Sequence, residues 1–185
     1  LDHESTLFRT IDACRAKLRS PSIGLVVLGK GPHQKEFKER AEILGIGKQV
    51  IFKDDESQLI SYMHSSNVLM CTDTTEASDE VVIKAAAAGL PIIAAKTDLR
   101  SDLFTDGESA FLCDKEDTIA FSKVLGVFLN NNSLRTQFAQ NARDIIKTRL
   151  HEDPGAYAIA YRDSIEQVLI DEQEEPQNEP QKEAV

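Results

Sequence analysis

Short apolar runs rich in Val and Ile recur along this chain, and each is followed by a segment of helical length. The runs are residues 22–28, 49–53, 67–71, 91–95 and 109–113. Apolar runs this short, without strict polar alternation, suit strands buried on both faces. Between them, residues 33–44, 56–65, 79–88 and 98–104 have helical patterns, punctuated by Gly45, Gly89 and the Asp106-Gly107 turn. Residues 4–19 precede the first run and place Leu7, Ile11, Cys14 and Leu18 on one helical face. Three more helical patterns follow at 116–130, 133–150 and 154–170. Strands joined through helices require right-handed crossovers, which cover both faces of a parallel sheet. The expected fold is α/β: a doubly wound, Rossmann-like parallel sheet of about six strands flanked by helices, with C-terminal helices after it. Ligands of such sheets sit outside the carboxyl ends of the strands, so the loops after Leu28, Phe52, Cys71, Ala95 and Cys113 matter most.

Charge divides the chain. Residues 1–170 are expected to form one domain, and residues 171–185 a disordered acidic tail. The tail holds six acidic residues against one Lys, half of the net charge of −10. No basic stripe offers itself to a phosphate backbone, so nucleic acid is not an expected partner. A small anionic ligand can still bind where backbone N–H groups converge. Cys14, Cys71 and Cys113 are odd in number and lack CxxC spacing, which suggests buried thiols in a reducing compartment. The four histidines show no ligand spacing, and no metal site is expected. Nothing resembles a signal peptide, and no apolar run approaches the roughly 18 residues of a membrane span. A first residue of Leu rather than Met is what a fragment or a processed chain would show.

Two segments can carry chemistry. Gly29-Lys30-Gly31-Pro32 joins a strand to a helix. Its glycines permit close backbone approach, and the helix that follows presents N–H groups to an anion. A tight strand–helix turn explains the same residues. Residues 72–89 follow another strand and open a second helix, with Ser78 or Asp79 as its cap and Glu76 just before it. That helix start would favour a diphosphate at the sheet edge, with Glu76 accepting from ligand hydroxyls. A capped core helix is the alternative.

Several collinear motifs make the pattern specific. They are Leu28-Gly-Lys-Gly-Pro32, Val50-Ile-Phe52, Glu76 with Lys84 eight residues on, Ala85-Ala-Ala-Ala-Gly-Leu-Pro-Ile-Ile-Ala94 and Asp106-Gly-Glu-Ser-Ala-Phe-Leu112. Over residues 3–170 this order resembles the C-terminal domain of the family 4, or group 1, retaining glycosyltransferases. The resemblance implies a GT-B enzyme of two Rossmann-like domains, of which this is the nucleotide-sugar-binding half. It implies a UDP- or GDP-hexose donor, no required metal or other cofactor, and an N-terminal Rossmann-like partner domain that binds a glycan, lipid or other acceptor. A cytoplasmic location, or one at the cytoplasmic face of a membrane, and a part in polysaccharide synthesis follow from the same resemblance. By it Glu76 is the catalytic-site acid near the donor sugar, and Gly29, Gly31, Phe52, Lys53, Ala77, Ser78, Asp79, Glu80 and Lys84 are donor-binding. The isolated domain is expected to be inactive. Its last helix, carrying Tyr157 and Tyr161, would cross to the partner domain.

Three positions depart from the family pattern. Lys84 stands where the second acid of Glu-x7-Glu accepts from ribose hydroxyls, and an ammonium can only donate. Lys84 would instead meet a phosphate, or Glu80 one turn back. Ala77-Ser78-Asp79 replaces Gly-Phe-Gly, and the Asp79 charge would oppose a diphosphate unless compensated. No Lys lies near Ser5, where the family clamps the diphosphate. These departures keep two alternatives open: a catalytically inactive glycosyltransferase-like interaction module, and a GT-B sugar-nucleotide epimerase.

Overall fold

The computed structural model describes residues 2–29, 33–149, 159 and 161–167. Residues 1–147 form one unit and 148–185 a second, of which 161–167 are helical and exposed. The first unit begins with α1 (Asp2–Cys14) and β1 (Leu25–Leu28), then α2 (Gln34–Ile43), β2 (Val50–Lys53), α3 (Leu59–Ser65) and β3 (Leu69–Cys71). It continues with α4 (Glu76–Ala88), β4 (Ile92–Ala95), α5 (Asp98–Leu103), β5 (Phe111–Cys113), α6 (Thr118–Asn130) and α7 (Asn132–Arg149).

All strand pairing is parallel, as the crossovers require. β4 shows why the sheet is doubly wound. All four of its residues are buried, and they alternate between two cores. Ile93 and Ala95 join Ile11, Cys14 and Leu18 of the first segment, Phe37 of α2 and Phe121 and Phe128 of α6. Ile92 and Ala94 join Met63 of α3, Val82, Ala85 and Ala86 of α4, and Ala142 and Ile146 of α7. A strand alternates its side chains with period two, so a polar residue in β4 would enter one core or the other. Alanines at 85 and 86, both fully buried, allow α4 to lie close on the sheet. On the other face Phe111 stacks on Phe138 with ring centroids 4.7 Å apart.

The structure corrects four expectations. Five strands are described rather than about six, and they form two sheets, β1–β2 and β3–β4–β5, rather than one. The first helix stops at Cys14, not near residue 19, and passes into a tighter turn in which Lys17 N–H donates to the Cys14 carbonyl (2.9 Å), a carbonyl that Leu18 N–H shares (3.0 Å). Pro21 then bars helical continuation. Leu18 still reaches the core from this turn. Third, α4 begins at Glu76, three residues before the expected start. Fourth, residues 56–58 are a 3-10 turn leading into the shorter α3. The expected helix at 154–170 is described only in part, and Tyr157, Gly31 and the tail at 171–185 lie outside the described residues.

Candidate functional site

The loop at residues 72–75 leaves the carboxyl end of β3 and turns into α4. Asp73 organises it: its carboxylate accepts from the N–H of Thr74 (2.7 Å) and Thr75 (3.3 Å) and from the Thr75 hydroxyl (2.8 Å). Thr75 then caps α4. Its backbone carbonyl accepts from the N–H groups of Ser78 (3.0 Å) and Asp79 (3.1 Å), and its hydroxyl oxygen accepts a longer bond from Ser78 N–H (3.4 Å). The first four N–H groups of a helix have no partner of their own within it. Here two are met by Thr75, which leaves those of Glu76 and Ala77 without an acceptor among the described residues. They sit at the carboxyl edge of the sheet, at the positive end of a 13-residue helix. At the other end Gly89, at φ 76°, takes the left-handed conformation that closes α4, and Leu90 N–H donates back to the Ala85 carbonyl (2.9 Å).

Sequence reasoning missed the residue that organises this edge. Arg100, in α5, is 1% exposed. Its Nη1 donates to the carbonyls of Asp73 (2.8 Å) and Ala95 (2.8 Å), and its Nη2 to the Ser78 hydroxyl (2.6 Å). Its Nε lies 2.6 Å from the Asp79 carboxylate. The Nε–H is not aligned with that oxygen, so this contact is an ion pair rather than a directional hydrogen bond. Thr97 caps α5 by accepting from Arg100 N–H (3.1 Å). One guanidinium thus ties the β3 loop, the first turn of α4 and the end of β4 together. Only a planar group with several donors can serve four partners at once. A lone Arg in a polar stretch carries no sequence sign that it will be buried.

The expected site residues separate accordingly. Ser78 and Asp79 face inward onto Arg100, and the Asp79 charge is neutralised there. Glu76, Ala77 and Glu80 are exposed on the same helix start. Lys84 does not reach back to Glu76, about 12 Å away along the helix axis at 1.5 Å per residue. It pairs with Glu80 one turn earlier, at 2.6 Å, as one of the two sequence alternatives had it. The hydrogen bond and charge of Lys84 hold the Glu80 carboxyl below the usual carboxylate range. Gly29 N–H donates to the Lys53 carbonyl (2.9 Å), so two further expected residues adjoin at the ends of β1 and β2. Gly29 has φ 118°, a conformation that favours glycine. Phe52 is half-buried with Lys38 Nζ 5.6 Å from its ring centroid.

All three cysteines are free and buried. Burial pushes the Cys14 thiol up to about 12 and the Cys113 thiol up to about 11. Burial also raises Cys71, with the Arg100 charge opposing it. Among the described residues no cluster of His, Cys, Asp or Glu has the arrangement of a metal site, and no helix is long and apolar enough to cross a membrane.

Parallel strands covered by helices on both faces, with a helix N-terminus open at their carboxyl edge, define a Rossmann-like α/β domain. Residues 1–145 match the family described as glycosyl transferases group 1, and the chain belongs to that family. It is similar to the lipopolysaccharide core biosynthesis glycosyltransferase LpsE of Rhizobium meliloti, 23% identical over 131 residues that cover 71% of this chain and 38% of that protein. The chain spans about a third of the length of such curated relatives. Its fold is shared with the C-terminal domain of the group 1 glycosyl transferase LpcC of Francisella tularensis (TM-score 0.71, 23% identity, 78% of this chain and 79% of that one). It is also shared with Anabaena HepE, solved with UDP and glucose (TM-score 0.72, 20% identity, 88% of this chain and 44% of that one).

Proposed function

We propose that residues 1–170 are the nucleotide-sugar-binding domain of a retaining hexosyltransferase, and that the donor diphosphate sits at the N-terminus of α4. The observation that carries this reading is the pair of N–H groups on Glu76 and Ala77 at the open helix end, with the Asp79 carboxylate beside them already neutralised by Arg100 and that of Asp73 engaged by the N–H groups of Thr74 and Thr75. Oriented N–H groups and a helix dipole stabilise a diphosphate without a metal ion. Glu76, exposed at the first helical position, would accept from donor sugar hydroxyls. That HepE was solved with UDP and glucose supports a UDP-hexose donor, with GDP-hexose the other candidate. The LpsE resemblance supports a saccharide-bearing acceptor in polysaccharide or lipopolysaccharide synthesis. An N-terminal Rossmann-like domain would supply the acceptor site, so the domain alone would not catalyse transfer. A nucleotide-sugar donor and a reducing environment for the buried thiols fit a cytoplasmic protein.

The test is titration of UDP, GDP and UDP-glucose into the full natural protein by calorimetry and thermal shift. Nucleotide at 100 times Kd stabilises by about 2.7 kcal/mol, which should raise Tm by a few degrees in a protein longer than this domain. Glu76→Gln should weaken nucleotide-sugar more than nucleotide. Absence of heat and of any Tm shift at millimolar nucleotide would refute the reading.

A second reading, an inactive glycosyltransferase-like interaction module, is favoured by the Lys84–Glu80 pair at the place of the second family acid. It expects nucleotide binding only after Lys84→Glu. Binding by the parent protein that Lys84→Glu weakens would exclude it.

A further inference from the structure

A cavity of about 300 Å³ lies at the opposite end of α4 from the site described above. Asn67, which precedes β3, lines it together with Ala88 and Gly89 at the end of α4. One face of α7 closes the other side. The cavity therefore sits at the amino ends of the strands. α4 has 13 residues, so about 20 Å of helix separates it from the N–H groups of Glu76 and Ala77. Small-molecule sites begin at about this volume, which suits one sugar ring rather than a chain of them.

The charge of the lining is opposite to that of the chain. The chain carries −10, yet no Asp or Glu lines this cavity, whereas Arg135 and Arg143 of α7 both do. The end of α6 holds Arg135 in place: its Nη1 donates to the Phe128 carbonyl and its Nη2 to the Asn132 side-chain oxygen (3.0 Å). That leaves its Nε–H and one N–H on each terminal nitrogen uncommitted among the described residues. Arg143 stands at the end of α4, its Nη1 3.8 Å from where a Cβ on Gly89 would be. The negative end of the helix dipole favours a cation there. Its guanidinium still donates to no acceptor among the described residues.

An anion alone would not match the rest of the lining. Leu90 N–H returns to the Ala85 carbonyl and Gly89 N–H to that of Ala86, and Pro91 has no N–H. The Ala88 carbonyl is therefore left without a donor among the described residues, at an end of the helix that opposes a bare anion and accepts from hydroxyls. The Asn67 side-chain amide has no partner among the described residues and offers both a donor and an acceptor. Gln140 gives its Nε2–H to Asp144 (2.8 Å), which leaves its carbonyl oxygen able to accept. Guanidinium donors and acceptors for hydroxyls thus meet in one small cavity.

We propose that this cavity binds a sugar phosphate, with Arg135 and Arg143 receiving the phosphoryl group and Asn67, Gln140 and the end of α4 receiving the ring hydroxyls. It is a second carbohydrate site, at the other end of α4 from the nucleotide, and it does not rest on nucleotide binding.

Amide chemical-shift titration by NMR tests it in the 185-residue chain. The probes are glucose-6-phosphate and mannose-6-phosphate, with glucose and inorganic phosphate for comparison. A sugar phosphate should give saturable shifts at Asn67, Gly89, Thr136 and Arg143 and leave Glu76 and Ala77 unmoved. Glucose and inorganic phosphate should each bind about tenfold more weakly or worse, since each engages only part of the lining. Arg143→Glu should weaken the sugar phosphate by a similar factor with an unchanged circular dichroism spectrum. Should that variant fail to fold, Asn67→Asp sets a negative charge in the same cavity from another element and should weaken binding likewise. Failure of both sugar phosphates to saturate at tens of millimolar would overturn the proposal. Equal affinity for inorganic phosphate would make the cavity a general anion site and overturn it as well. Binding that the folded variant leaves unchanged, or shifts confined to the start of α4, would also sink it.

Discussion

Replacing Arg100 by Met should destabilise the domain by about 3–5 kcal/mol, because it leaves a buried carboxylate without its counter-charge. The side chains of Arg100 and Asp79 are 1% and 12% exposed, so solvent screens their pair little. Natural domains are stable by about 5–15 kcal/mol, so the loss is a large share of the whole. For a domain of this size it corresponds to roughly 6–20 °C in Tm. The chain has no Trp, so urea unfolding is best followed by far-ultraviolet circular dichroism. Asp79→Leu combined with Arg100→Met should recover much of the loss, since no charge is then stranded. It should stay below the parent, because the carbonyls of Asp73 and Ala95 still lose their donor. The double-mutant cycle should show a coupling of at least about 2 kcal/mol, little changed in 1 M salt. A loss under about 1 kcal/mol for Arg100→Met, or additive single effects, would show that the guanidinium does not hold this edge together.

Other consequences can be checked directly. Thr75→Ala removes the side-chain cap of α4 and should cost about 1 kcal/mol by denaturant unfolding. Gly89→Ala forces a side chain into the left-handed region at φ 76° and should cost on the order of 1 kcal/mol in the same assay. The Glu80 carboxyl should titrate below an ordinary Glu in a carbon-detected NMR titration, and Lys84→Met should return it to the ordinary range. The Cys14 thiol is protonated in the folded state up to about 12 and in the unfolded state only up to its ordinary 9.0. The folded state thus binds more protons in that window, so stability falls as pH rises from 9 towards 12; Cys14→Ala should flatten that slope. All three thiols should resist iodoacetamide at pH 8 until the chain is unfolded.

Much of the architecture is written locally. The five apolar runs became the five strands, and the alternation of Ile92, Ile93, Ala94 and Ala95 between two cores follows from strand period alone. Glycines at 29 and 89 marked a strand end and a helix end because no other residue takes those backbone angles as readily. The family motifs were legible for the same reason: each is a short string at a turn or a helix start.

What failed locally is instructive at α4. Thr75, Ser78 and Asp79 can all cap a helix, so the string permits more than one start. Arg100, 22 residues beyond Ser78, takes both the Ser78 hydroxyl and the Asp79 carboxylate, which leaves Thr75 as the cap and moves the helix start to Glu76. The sequence by itself determined which segments are strands and helices, since that depends on propensity and period within a few residues. Only the tertiary structure decided where α4 begins and that Asp79 is neutralised. Those outcomes depend on burial and on partners distant in the chain, and local pattern carries no record of either.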